Sequence, residues 1–184
     1  MLRNTTDNWG IIAKSLHWML AGFIFVQFVL GPLAVSWRLS PTKLDLYVWH
    51  KSIGILILAL VIVRAIWRLL NLTPALPPDL PRWEHLSARL SHALLYLMMF
   101  MLPISGWVIN SAANIPFKVF WAFPLPDLVS PDKSLAELAK VVHFSLVIGL
   151  IILLVLHIGA AIRHHFIKRN NVLVRMLWSR RSES

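Results

Sequence analysis

The chain has 184 residues, 58% of them hydrophobic and 14% charged, with a mean hydropathy of +0.68. That balance excludes an ordinary soluble domain. The absence of cysteine excludes disulfides, Cys-ligated iron–sulfur clusters and a C-x-x-C-H attachment for covalent haem.

A polar lead, residues 1–10, precedes a segment from 16 to 37 that carries no formal charge. It exceeds the roughly 20 residues that cross a hydrocarbon core and predicts a helix near 12–36. It is too long for a signal h-region, and no small-residue cleavage pattern follows it, so it is expected to be retained. Gly31-Pro32 is a candidate bend late in this helix. Ser40-Pro41-Thr42 turns the chain into a second helix near 46–70, interrupted by Lys51 at one end and by Arg64 and Arg68 at the other. Long basic side chains there can snorkel to the interface.

A stiff proline-rich loop, residues 73–81, divides the chain into two helical hairpins. Residues 90–117 are again free of charge and predict a third helix near 88–112, with Pro103 and Ser105-Gly106 as a candidate bend. The loop 114–133 contains Trp121 and Phe123, which suit a segment lying on the membrane interface. Ser134 and Glu137 match a capping box opening a fourth helix near 138–165, whose stretch 141–162 is charge-free.

The expected fold is all-α, an integral membrane four-helix bundle forming a single domain over 1–184. The net charge of +10 does not point to nucleic acid, because its distribution follows the membrane. Arg3, Lys14, Arg64, Arg68, Arg82, Arg89, Arg163, Lys168, Arg169, Arg175, Arg180 and Arg181 fall on the side of the termini. Only Arg38, Lys43, Lys51, Lys118, Lys133 and Lys140 fall opposite. The positive-inside rule then makes both termini cytoplasmic, and a bacterial inner membrane is the expected location.

The chemistry resides in histidines. His143 and His157 stand fourteen residues apart, almost a whole number of helical turns. They leave one face of the fourth helix at levels roughly 21 Å apart. His50 opens the second helix near the outer face, and His17 lies one to two turns from the inner face of the first. Depth therefore pairs His50 with His143 and His17 with His157. Each pair can supply the two axial nitrogens of a haem iron, and such sites form inside bundles from facing helices. A lone intramembrane histidine more often makes an interhelical hydrogen bond. Zinc is the main competing metal, but four separated imidazoles without carboxylates suit it poorly.

The remaining histidines have weaker readings. His92 could bond a haem propionate, line a quinone pocket or simply join helices. His85 is expected in the loop, facing water. His164 and His165 follow Arg163 in a basic interfacial cluster, and His164 shares the face of His157, where it could donate to a quinone carbonyl. Gly22 and Gly54 lie near His17 and His50 and could admit a flat macrocycle or ordinary helix packing. Arg64 and Arg68 could neutralise propionates or reach lipid phosphates.

The chain resembles the bacterial cytochrome b561 family. The resemblance rests on Ser15-Leu16-His17-Trp18, on His50 with Val63-Arg64 and Arg68, on Ser91-His92 and on Leu102-Pro103-Ile104-Ser105-Gly106. It continues through His143, Leu156-His157, Arg163-His164-His165-Phe166 and Leu173-Val174-Arg175-Met176. It implies two non-covalent b-type haems, the inner held by His17 and His157 and the outer by His50 and His143. It also implies electron exchange with ubiquinone, with Ser15 and His164 as candidate quinone-site residues. Some members of the family oxidise superoxide at the outer face. Lys118, Lys133 and Lys140 could attract such an anion, but Asp127, Asp132 and Glu137 oppose them, and a mixed solvated loop is the expectation. Two rival functions stand beside the diheme cytochrome. One is a haem-containing anchor subunit of a hydrogenase or dehydrogenase. The other is a histidine-based transporter or proton relay, disfavoured by the lack of acidic residues at depth and of an evident inverted repeat.

Overall fold

The computed structural model describes residues 1–75 and 80–177. Pro77, Pro78 and Asp79 of the proline-rich loop, and Arg180 and Arg181 of the tail, lie outside the described residues. The chain forms four long helices: α1 (Ile11–Ser36), α2 (Pro41–Leu70), α3 (Arg82–Ala112) and α4 (Lys133–Phe166). At 26, 30, 31 and 34 residues, each is long and apolar enough to cross a membrane. Their outward-facing side chains agree with that setting. Val29, Phe144 and Val155 are 60, 66 and 66% exposed, an arrangement that suits hydrocarbon rather than water.

Three helices begin well before the positions the sequence predicts, because their starts are set by local chemistry rather than by hydropathy. Ser40 caps α2, its hydroxyl accepting from the Lys43 amide at 3.3 Å, and Pro41 takes the first helical position. At α4 the cap is Asp132, whose Oδ1 accepts from the Leu135 amide at 3.1 Å. This corrects the expected box. Ser134 lies inside the first turn, and Glu137 pairs with Lys140 at 2.8 Å instead of reaching back. The early start of α3 also moves His85 out of the loop and into that helix's first turn, where it is half-buried. Neither Pro32 nor Pro103 ends its helix.

The helices pack in chain order, α1 on α2, α2 on α3 and α3 on α4, and among the described residues no comparably extensive contact joins α1 to α4. The buried core consists of Leu20, Ile24, Ile53, Ile57, Val61, Leu95 and Leu150. These residues fall between the sequence levels of the two histidine pairs, so a dry apolar layer separates them.

The polar lead and the described stretch after α4, up to Leu177, gather at one end of the bundle. Asn4 accepts from the Gly10 amide at 2.9 Å and donates to the Leu72 carbonyl at 2.7 Å, pinning the lead to the start of α1 and to the segment that follows α2. Gly10 is required there, since a Cβ would collide with the backbone of Leu2 and Arg3. After α4 the chain turns back beneath α1. Lys14 Nζ donates to the Leu177 carbonyl and Trp18 Nε1 to that of Met176, both at 2.9 Å.

The α3–α4 connection contains an element the sequence did not suggest, a two-residue antiparallel hairpin of β1 (Lys118–Val119) and β2 (Phe123–Pro124). Phe120 and Trp121 at its turn adopt positive φ values of 47° and 62°, a strain that persists because the surroundings hold it. The Phe120 amide donates to the fully buried hydroxyl of Ser52 at 2.8 Å, and Trp49 packs edge-on against both aromatic rings.

Candidate functional site

The helices bring the four histidines together as depth predicts. The rings of His50 and His143 have centroids 6.4 Å apart, inclined at 75°. Those of His17 and His157 are 6.3 Å apart at 60°. Two imidazoles bonded at about 2 Å to opposite sides of one metal ion place their centroids roughly 6 Å apart. Each pair therefore has a separation that would let both rings reach one metal ion between them. Among the described residues no group of three or more His, Cys, Asp or Glu side chains is arranged to hold a bare metal ion. Paired imidazoles without further ligands fit a metal that brings its equatorial nitrogens with it.

At the hairpin end, a glycine backbone lies beside each histidine ring. A Cβ at Gly31 would lie 3.3 Å from Cε1 of His50, and one at Gly106 would lie 3.5 Å from Cε1 of His143. Both glycines let a histidine ring lie directly against a neighbouring helix. Of the glycines singled out from sequence, Gly54 instead faces Gln27, and a Cβ at Gly22 would meet nothing within 4 Å.

Ser105 orients His143. Its hydroxyl lies 2.8 Å from Nδ1 of His143 and donates its one hydrogen to the Leu102 carbonyl, also at 2.8 Å. With that hydrogen on Leu102, the serine oxygen can accept from Nδ1–H, the tautomer that leaves the Nε2 lone pair free to bind a metal. Nearby, Lys51 turns inward rather than snorkelling. Its Nζ donates to Asn110 Oδ1 at 2.6 Å and sits 5.4 Å from the Phe117 ring centroid.

At the terminal end, His92 adds a third imidazole. Its ring stands 5.7 Å from that of His157, edge to face. Arg64 Nε donates to the Tyr96 hydroxyl at 3.1 Å, and the guanidinium groups of Arg64 and Arg68 lie 6.0 and 5.7 Å from the Tyr96 ring centroid. Ser15 is half-buried two residues before His17. His164 has its Nδ1 at 2.9 Å from the Asn170 side-chain amide, and its Nε2 at 3.7 Å from Glu84 Oε2.

Glu84 is the residue that sequence reasoning missed. Its side chain is only 5% exposed and faces Arg163 at 3.1 Å, Lys168 at 3.7 Å and His164. It joins the start of α3 to the end of α4. The available signal was the basic run from 163 to 169, which needs a counter-charge wherever it leaves water. The loop-side cations are less exceptional, since Lys140 is neutralised by Glu137.

Comparison with known proteins identifies the family. The family model for prokaryotic cytochrome b561 matches residues 8–179. Cytochrome b561 homolog 2 of Escherichia coli is 33% identical over 180 residues, covering 95% of this chain and 93% of that protein. Cytochrome b561 homolog 1 of the same organism is 28% identical over 164 residues, covering 88% and 92%. A protein of Yersinia pestis named as a probable superoxide oxidase is 30% identical over 132 residues, covering 72% and 74%. Four apolar spans, paired intramembrane histidines and a match over nearly the whole length place the chain in the prokaryotic cytochrome b561 family, as a multi-pass bacterial membrane cytochrome of the kind that binds b-type haem.

Proposed function

We propose that this cytochrome holds two haems b non-covalently and carries electrons across the membrane between its outer face and the quinone pool. The observation that carries the reading is the pair of imidazole separations, 6.4 and 6.3 Å, at two levels of one bundle. His50 and His143 would hold the outer haem, and His17 and His157 the inner one. Haem iron, when bound, supplies reversible one-electron chemistry.

The chain's own residues do the rest. With its own hydrogen on the Leu102 carbonyl, Ser105 would accept from Nδ1–H of His143 and leave Nε2 for the iron. The apolar layer around Leu20, Val61 and Leu150 keeps water from the space between the two levels. Burial and axial ligand identity set the potential. Ubiquinone is the proposed acceptor at the inner end, with Ser15 and His164 as the residues nearest its chemistry. Glu84 and Asn170 orient the His164 ring. We place both termini in the cytoplasm, following the basic residues, and treat 1–184 as one functional domain. Superoxide is the proposed donor at the outer face, supported by the name of the Yersinia relative.

Haem content of His143→Ala and His17→Ala variants tests the assignment. Each is expected to lose one haem and retain most of the other. Unchanged haem content in either variant would remove that residue as a ligand. Stopped-flow mixing with superoxide, with and without quinone, tests the donor and acceptor separately.

A further inference from the structure

We propose that Gln27 is a positioning residue for the haem held by His50 and His143, acting on His50 as Ser105 acts on His143. The proposal rests on the reading of His50 as an axial ligand.

Gln27 lies on α1, and its Nε2 donates to the backbone carbonyl of His50 on α2 at 2.8 Å. That contact fixes which way the amide points, because the flipped orientation would set two oxygens against each other. The other end of the same amide, Oε1, is buried and accepts no hydrogen bond. Nδ1 of His50 is also buried without a partner. A buried polar atom left unpaired is costly, and two in one seam call for a common explanation.

The two atoms are complementary once His50 binds iron. Coordination through Nε2 puts the ring hydrogen on Nδ1, which then needs an acceptor, and Oε1 is an acceptor that needs a donor. Both sit on the same stretch of the α1–α2 contact. His50 lies against Gly31, one turn beyond Gln27, and a Cβ at Gly31 would be 3.7 Å from Nδ1. Gly54, one turn beyond His50, makes room for the amide, since a Cβ there would lie 3.4 Å from Gln27 Nε2. Reorientation of the ring on haem binding, or one bridging water, would join Oε1 to Nδ1–H. Each ligand of this pair then receives its orienting acceptor from a neighbouring helix, α1 for His50 and α3 for His143.

An acceptor on Nδ1–H makes the imidazole a stronger donor and favours the oxidised metal. The test is a redox titration of the haem-loaded, full-length protein, with the rate of haem transfer to an apo-globin measured in parallel. Gln27→Met keeps length and removes the acceptor. It should raise the midpoint potential of one haem, leave the other unmoved and speed loss of the affected haem by about tenfold or more. Gln27→Glu keeps acceptor oxygens and loses the donor, and it should shift the same potential downward. A role confined to packing α1 on α2 would shift both variants in the same direction, and that result would overturn the proposal. So would a Gln27→Met protein with both potentials and both haem-loss rates unchanged. Should the carboxylate of the Gln27→Glu variant prevent folding, exchange of the hyperfine-shifted Nδ1–H protons in the unsubstituted ferric protein decides the matter. Slow exchange of both protons of this pair supports the assignment, and fast exchange of the His50 proton overturns it. Wild-type protein that carries two haems while Gln27→Met is silent removes only Gln27. Wild-type protein without haem removes the ligand assignment itself.

Discussion

Ser105 and His143 share one hydrogen bond of 2.8 Å, and the same hydroxyl lies 2.8 Å from the Leu102 carbonyl, which can take its hydrogen. A residue on α3 thus braces the ring of a proposed ligand on α4. Losing such a partner typically costs 10–100-fold in metal affinity. Ser105→Ala is accordingly expected to weaken retention of one haem by about that factor, while Ser105→Thr keeps the acceptor and most of the affinity. Competitive haem transfer to an apo-globin measures both.

Two glycines of α1, one against a histidine ring and one facing open space, provide a steric test. Gly31→Ala would place a Cβ 3.3 Å from the His50 ring, whereas Gly22→Ala meets nothing within 4 Å. The first substitution should alter the low-spin electron paramagnetic resonance signal of one haem. The second should leave both signals in place. Equal effects from the two would indicate that ring placement is not set by the α1 backbone.

The apolar layer between the levels should be sensitive to truncation. Leu20 is 2% exposed and Val61 fully buried, and large-to-small changes at such sites cost about 2–5 kcal/mol. Leu20→Ala should lower the thermal midpoint in detergent clearly, whereas Val29→Ala, on the lipid face, should change it little.

The ion cluster at the terminal end predicts a contrast between two glutamates. Glu84 is enclosed by Arg163, His164 and Lys168, while Glu137 and Lys140 have side chains 62 and 53% exposed. Exposed pairs contribute little, and breaking an enclosed one strands its partners. Glu84→Gln should reduce thermal stability and loosen the α3–α4 end in hydrogen exchange, and Glu137→Gln should do neither.

Hydropathy and histidine spacing were enough to read the four spans and to pair His50 with His143 and His17 with His157, because charge-free runs and helical periodicity are properties of the chain itself. Helix starts were less legible. Asp132 displaced Ser134 as the cap because a carboxylate one position before the helix met the Leu135 amide first, a choice made by backbone geometry. Glu84 and the hairpin at Phe120 were invisible for a different reason. Their partners lie 79 and 68 residues away in sequence, at Arg163 and Ser52, and no local pattern announces such a contact. The closeness of Gly31 to the His50 ring was equally hidden, because it arises between two helices.

The central claim is two iron sites per chain, and counting them is the direct test. A pyridine haemochrome assay on protein purified from haem-replete cells, set against quantitative amino-acid analysis, is expected to give two haems b for each chain. A reduced-minus-oxidised spectrum should show b-type bands. A preparation that is folded, four-helical and colourless, or that saturates at one haem, would contradict the account.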